Sequence, residues 1–314
     1  MIQKTSSLGL CKLKLYIILI GVSMFSLAQL NASNFVIDKK IKHVYIQKGN
    51  INIGYREFGS GQPLILITAY GTTMDLWPPE VIEKLSEKYR VIIFDNRGIG
   101  STSGGDIAFS IEQFAEDTSM FMDALNIDNA DILGWSMGGM IALQLAVYDA
   151  DKINKLIIYG SGCGGEAEFP MSQEIIQKLM APVSSGKAEG QKMFTLMFPK
   201  KWRKEHPDYE NIFPHVKETV KSEIIEKQGE AIGKWGGIND KLKNFTKPAL
   251  IIFGSEDIIV PAANGVILNE KIKNSKLIII KESGHGLMFQ WHEKFSNKIN
   301  KFLSFSKFKG QELD

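Results

Sequence analysis

Apolar residues recur along this chain in two alternating rhythms. Short unbroken runs fit strands buried on both faces: Leu64–Thr68, Val91–Asp95, Ala130–Trp135, Lys155–Gly160, Ala249–Gly254 and Leu277–Lys281. Between them, apolar positions spaced three and four apart predict helices near 78–88, 110–126, 137–149, 262–273 and 289–303. Strand and helix in alternation imply an α/β fold, a mostly parallel sheet with helices on both faces. A hairpin precedes the series over 42–58, turning at Gly49-Asn50, two residue types that tolerate the positive φ of tight turns.

One interval breaks the rhythm. From about Glu166 to Leu242 the sequence shows no strand, only amphipathic patches rich in Lys, Glu and Phe, such as "GQKMFTLMFPKKW" and "VKETVKSEIIEK". This reads as a helical insertion between two sheet strands. The expected layout is therefore a first part of the core over 36–165, the insertion over 166–243, a second part of the core over 244–305 and a tail over 306–314.

Composition narrows the function classes. The chain has 314 residues, 44% hydrophobic and 23% charged, ordinary values for a globular protein. Lys4, Lys12 and Lys14 precede the apolar run "LYIILIGVSMFSLA", which ends in Ser26-Leu27-Ala28. Basic start, short apolar run and small residues at the end are the marks of an export signal over residues 1–28, which predicts a periplasmic or secreted protein. Uncleaved, the same segment would serve as an anchor; cleaved, it leaves no stable membrane insertion. Beyond it, 34 basic residues face 35 acidic ones, so charge gives no support for a nucleic-acid partner. The two cysteines, Cys11 and Cys163, would be reduced to one by cleavage, which rules out an internal disulfide framework.

The chemistry concentrates at strand ends. Gly134-Trp135-Ser136-Met137-Gly138 is a G-x-S-x-G pattern between an apolar strand and an almost wholly apolar helix. A serine at such a junction sits on a sharp turn with its hydroxyl pushed forward, and the two glycines remove side chains that would collide there. A serine hydroxyl needs a base, itself oriented by an acid. Of the five histidines, His43 lies in the first hairpin, His206 and His215 in the insertion, and His292 on the last helix. His285, in "SGHG" just after the last strand, is the expected general base. "FGSEDIIV" offers Glu256 and Asp257 after another strand; two adjacent acids cannot both face one imidazole, and Asp257 is preferred with Glu256 as a solvated neighbour. All three groups follow carboxyl ends of strands, where open parallel sheets place their sites. The histidines lack metal-ligand spacing and no GxGxxG opens a helix, so neither metal nor cofactor is expected.

With nucleophile, acid and histidine in that order, the chain resembles the α/β-hydrolase superfamily over roughly residues 42–305, in its serine-nucleophile, esterase- or lipase-like branch. "FDNRGIGSTS" (Phe94–Ser103) is similar to the family's turn after an early strand, where Asp95 and Arg97 are structural, and the insertion falls where the family carries a helical cap. The resemblance implies a Ser136–His285–Asp257 triad acting through an acyl-enzyme. It also implies an oxyanion hole from the backbone N–H of Met137 and of a residue after the first core strand. Thr68-Ala69 stands where the family has His-Gly, which puts Tyr70 at that second donor position. Phe194, Met197, Phe198, Trp202, Phe213 and Trp235 either line an apolar pocket or pack the cap, and Arg203 with its lysine neighbours reads as a solvated charge run. The expected activity is hydrolysis of a small-molecule carboxylic ester of medium size with an apolar acyl or alcohol part. The same triad could instead cleave an amide, a lactone, a peracid or a carbon–carbon bond, and a dead fold could serve in binding.

Overall fold

The computed structural model describes residues 39–181, 186–208, 212–214, 216 and 220–305. The expected leader (1–28), the tail (306–314) and His215 lie outside them. Among the described residues no helix is long and apolar enough to cross a membrane.

Eight strands form one sheet: β1 Lys42–Ile46, β2 Ile51–Phe58, β3 Pro63–Ile67, β4 Arg90–Phe94, β5 Ala130–Trp135, β6 Ile153–Tyr159, β7 Ala249–Gly254 and β8 Ser275–Ile280. Their order across the sheet is β1-β2-β4-β3-β5-β6-β7-β8. The β1–β2 hairpin turns at Gly49 and Asn50, both at positive φ, and β2 lies antiparallel to β4. Every later pairing is parallel. The helices are α1 Pro79–Ser86, α2 Ile111–Ala124, α3 Met137–Tyr148, α4 Gln173–Met180, α5 Gly186–Met197, α6 Lys200–Glu205, α7 Ser222–Lys234, α8 Ala263–Lys271, α9 Leu287–Gln290 and α10 His292–Ser304. The insertion between β6 and β7 is thus helical, carried by α4 to α7.

The period of two along each strand sorts the core into two layers. Leu64, Leu66, Val91, Ile93, Leu133 and Leu250 face α1, α10 and the aromatic side chains of the insertion. Ile65, Ile67, Ile92, Phe94, Ile132 and Ile251 face α2 and α3. A strand that buries both faces must be apolar at every position, which is why these segments are unbroken apolar runs.

Boundaries shift for physical reasons. β6 ends at Tyr159 rather than Gly160, because Gly160 turns to φ 55°. β8 begins two residues early, at Ser275, pairing with Ala249; as an edge strand it tolerates polar residues that a central strand would not. The last long helix begins at His292 because Trp291, at φ −139° and ψ 52°, separates it from the short α9.

Candidate active site

The turn between β5 and α3 puts Ser136 at φ 54° and ψ −118°, a left-handed conformation that costs a non-glycine residue free energy. The surroundings enforce it. The Ser136 N–H donates to the Tyr159 carbonyl at 2.9 Å, and its carbonyl accepts from Gly139 at 2.8 Å, so the residue is bonded to both β6 and α3. The flanking glycines are needed for contact: a Cβ on Gly134 would stand 2.3 Å from the Gly138 oxygen, and one on Gly138 would stand 2.1 Å from the Ile67 oxygen. Helix α3 therefore starts pressed against the end of β3. Its first turn leaves N–H groups without intrahelical acceptors, and Met137 carries the first of them.

Asp257 sits in the turn after β7, wholly buried at its side chain. Its Oδ1 accepts from the N–H of Ile259 at 3.0 Å and of Val260 at 2.8 Å, which fixes the carboxylate plane. Its Oδ2 lies 2.7 Å from His285 Nδ1. A carboxylate only accepts, so Nδ1 carries the proton and Nε2 presents its lone pair. Glu256 is exposed, and it is the Asp257 carboxylate that reaches the imidazole.

His285 packs over Gly160, where an added Cβ would meet its ring at 3.2 Å. Its centroid is 5.9 Å from that of Trp135, the residue before the serine. The imidazole and the nucleophile turn therefore share one end of the sheet. The Ser136 hydroxyl has no hydrogen bond among the described residues; such contacts are often long before substrate binds. Among the described residues the other histidines stay away: His43 and His206 are exposed, His206 stacks on Trp202 at 4.1 Å, and His292 opens α10.

Two supports escape a reading of sequence alone. Tyr159, buried under the imidazole, donates its hydroxyl to the His285 carbonyl and accepts from Met288 N–H at 3.3 Å, while burial raises its phenol well above the ordinary range. Phe289, just beyond the histidine loop, packs its ring on Trp135, Phe198 and Phe213 at 6.1, 6.3 and 5.1 Å. An apolar residue four positions after a histidine carries no sequence signal beyond being core. The insertion aromatics Phe194, Phe198, Trp202 and Phe213 are buried together, and Trp235 instead bonds Gln144 beneath α3. Arg203 donates to the Phe198 carbonyl at 3.1 Å, a structural contact within the insertion.

The loop after β3 is held from the core side. Asn96 Nδ2 donates to the Thr68 hydroxyl at 3.1 Å, and Asp95 accepts from Met74 N–H at 2.7 Å and from Ser101 N–H at 2.9 Å. Buried Arg97 pairs with Asp117 on α2, so both residues of the "FDNRG" turn are structural. Tyr70 is partly buried against both core layers, and burial, with the nearby Glu226 charge, raises its phenol. Among the described residues no group of three His, Cys, Asp or Glu side chains converges as a metal site would.

Comparison with known proteins agrees with the fold that carries this arrangement. A family model described as alpha/beta hydrolase fold matches residues 62–185, a span that holds Tyr70 and Ser136 but ends before Asp257 and His285. The chain is 26% identical over 239 residues to 3-oxoadipate enol-lactonase 2 of Acinetobacter baylyi, covering 74% of this chain and 86% of that protein. It is 27% identical over 288 residues to a 2-hydroxy-6-oxo-6-(2'-aminophenyl)hexa-2,4-dienoic acid hydrolase of Metapseudomonas resinovorans, covering 85% and 94%. In fold it matches an alpha/beta hydrolase fold protein from Chitinophaga pinensis with a TM-score of 0.72 at 23% identity, over 85% of this chain and 98% of the other.

Proposed function

Because the chain belongs to the α/β-hydrolase superfamily and gathers Ser136, His285 and Asp257 at one end of its sheet, we propose that it is a serine hydrolase that cleaves carboxylic esters. One observation carries this reading: the buried 2.7 Å contact between Asp257 and His285, beside a serine held at positive φ. In this mechanism Ser136 Oγ attacks the ester carbonyl while His285 Nε2 takes its proton. The tetrahedral oxyanion is received by the N–H groups of Met137 and Tyr70. His285 then protonates the departing alcohol, and a water molecule, deprotonated by the same nitrogen, releases the acid from the acyl-enzyme. Asp257 keeps Nδ1 protonated throughout and stabilises the imidazolium.

The ester as scissile group is supported by the apolar surroundings of the site, where Phe289 and Tyr70 remain only partly covered. The test is hydrolysis of p-nitrophenyl esters of graded acyl length, with Ser136→Ala as control. Wild type should turn over the shorter members, and the variant should lose at least about 10³-fold in kcat. Measurable hydrolysis at equal rates in the two proteins would sink the nucleophile assignment. The relatives named above include a lactonase and a dienoic acid hydrolase, so a wild type silent on esters but active on a lactone or a carbon–carbon bond would keep the triad and move the bond.

A further inference from the structure

The loop Thr68-Ala69-Tyr70-Gly71 is anchored from the sheet by Asn96, but on its other side it meets a residue from the insertion. Gln228, on α7, is fully buried, and its Oε1 accepts the Gly71 N–H at 2.9 Å. Gly71 is itself buried and turns to φ 64°, and its neighbours Thr72 and Thr73 are also buried, so water is excluded from that N–H. The amide orientation is fixed by chemistry: reversed, it would set two donors against each other.

The second half of the same amide shows what the residue is for. Gln228 Nε2 is buried and has no partner among the described residues. A leucine or methionine of similar volume would fill the space without an unsatisfied donor. What such a residue could not do is accept from Gly71. The retained function of the amide is therefore its grip on the peptide between Tyr70 and Gly71, which fixes the plane of that peptide and so restrains ψ of Tyr70.

We propose that Gln228 is a positioning residue for the oxyanion hole: it acts from the insertion through Gly71 to hold the Tyr70 N–H where the developing oxyanion will lie. This rests on the serine-hydrolase reading above. It makes α7 part of the catalytic apparatus and not only a cover over the substrate. Loss of the acceptor should weaken binding of the tetrahedral species more than binding of the planar ester.

The experiment compares wild type with Gln228→Met, which removes the acceptor at similar volume, and Gln228→Asn, which keeps an amide but draws it back by one carbon. For each, kcat and KM are measured on p-nitrophenyl butyrate, together with Ki for an alkyl trifluoromethyl ketone, which mimics the tetrahedral adduct. Thermal melting checks the fold, and the Asn variant stands in if the Met variant does not fold. The expected result is kcat lower by about 10- to 100-fold and Ki raised by a similar factor, with KM within about threefold of wild type. Unchanged kcat and Ki, or KM and Ki rising together, would overturn the proposal while leaving the triad intact. A wild type that ignores the ketone and matches Ser136→Ala would overturn the serine-hydrolase reading, and this proposal with it.

Discussion

At the scale of single residues, the site depends on groups whose alternatives are close by in sequence. Asp257 shows this best. Substituting Asp257→Asn keeps its shape and removes its charge, so the amide can donate to Nδ1 and drive the proton to Nε2, the wrong tautomer for a base. The expected loss is about 10⁴-fold in kcat on a p-nitrophenyl ester, with little change in melting temperature. The same change at Glu256, exposed and turned away, should leave kcat unaltered, and a comparable loss there would mean the wrong acid was assigned. Ser136 and His285 were visible as candidates in the sequence because reactive residues between glycines at strand ends have few structural uses. Tyr159 and Gln228 were not, because their roles run through hydrogen bonds to backbone that sequence does not display. Gln228 did leave a trace: it lies three residues from Ile225 and three from Ala231, on the buried face of an otherwise charged helix. A glutamine on an apolar stripe is a polar group that needs a partner.

Among elements, the tightest constraint is the meeting of α3 with β3. Gly138 stands where any Cβ would come within 2.1 Å of the Ile67 carbonyl oxygen, and that oxygen belongs to a central strand that cannot retreat. Gly138→Ala should therefore destabilise by about 3 kcal/mol or more, read as a lower urea midpoint, and should reduce esterase rate in the fraction that folds. An unchanged midpoint would show that α3 can tilt away, and that the turn is less constrained than its contacts imply. Elements of the sheet were readable from apolar run and period alone, since strands covered on both faces admit little else. Their ends were less so. Where β6 stops depends on the turn at Gly160, and where β8 starts depends on being at the edge, neither of which a local pattern records.

Across the whole molecule, the two ends of the sheet behave differently. The carboxyl end holds the site; the opposite end buries Asp131, at the start of β5, beside Asn154, Lys155 and Tyr89. Burial pushes the Asp131 carboxyl from 3.8 up to about 6, against the pull of Asn154 and Lys155. The folded state then holds a proton that the unfolded chain releases near 4. Between about pH 4 and 6 the folded form binds more protons, so stability falls as pH rises through that window. Asp131→Asn, a neutral stand-in, should abolish that fall and gain on the order of 2 kcal/mol relative to wild type at pH 7 over its standing at pH 4. Urea unfolding at the two values checks it; parallel curves for the two proteins would refute it. The insertion between Tyr159 and Ala249 has a further consequence, in chain entropy. Its two ends are tied to adjacent parallel strands, Tyr159 opposite Ile252 and Ala249 opposite Leu156, so the cost of closing the loop grows only with the logarithm of its length, about 0.6 kcal/mol for each doubling. The sheet can therefore carry insertions of very different size at almost the same stability, and what limits exchanging this one is not its length but the contacts it lends to the core: the Gln228 amide on the loop after β3, the Trp235 bond to Gln144 and the rings packed on Phe289.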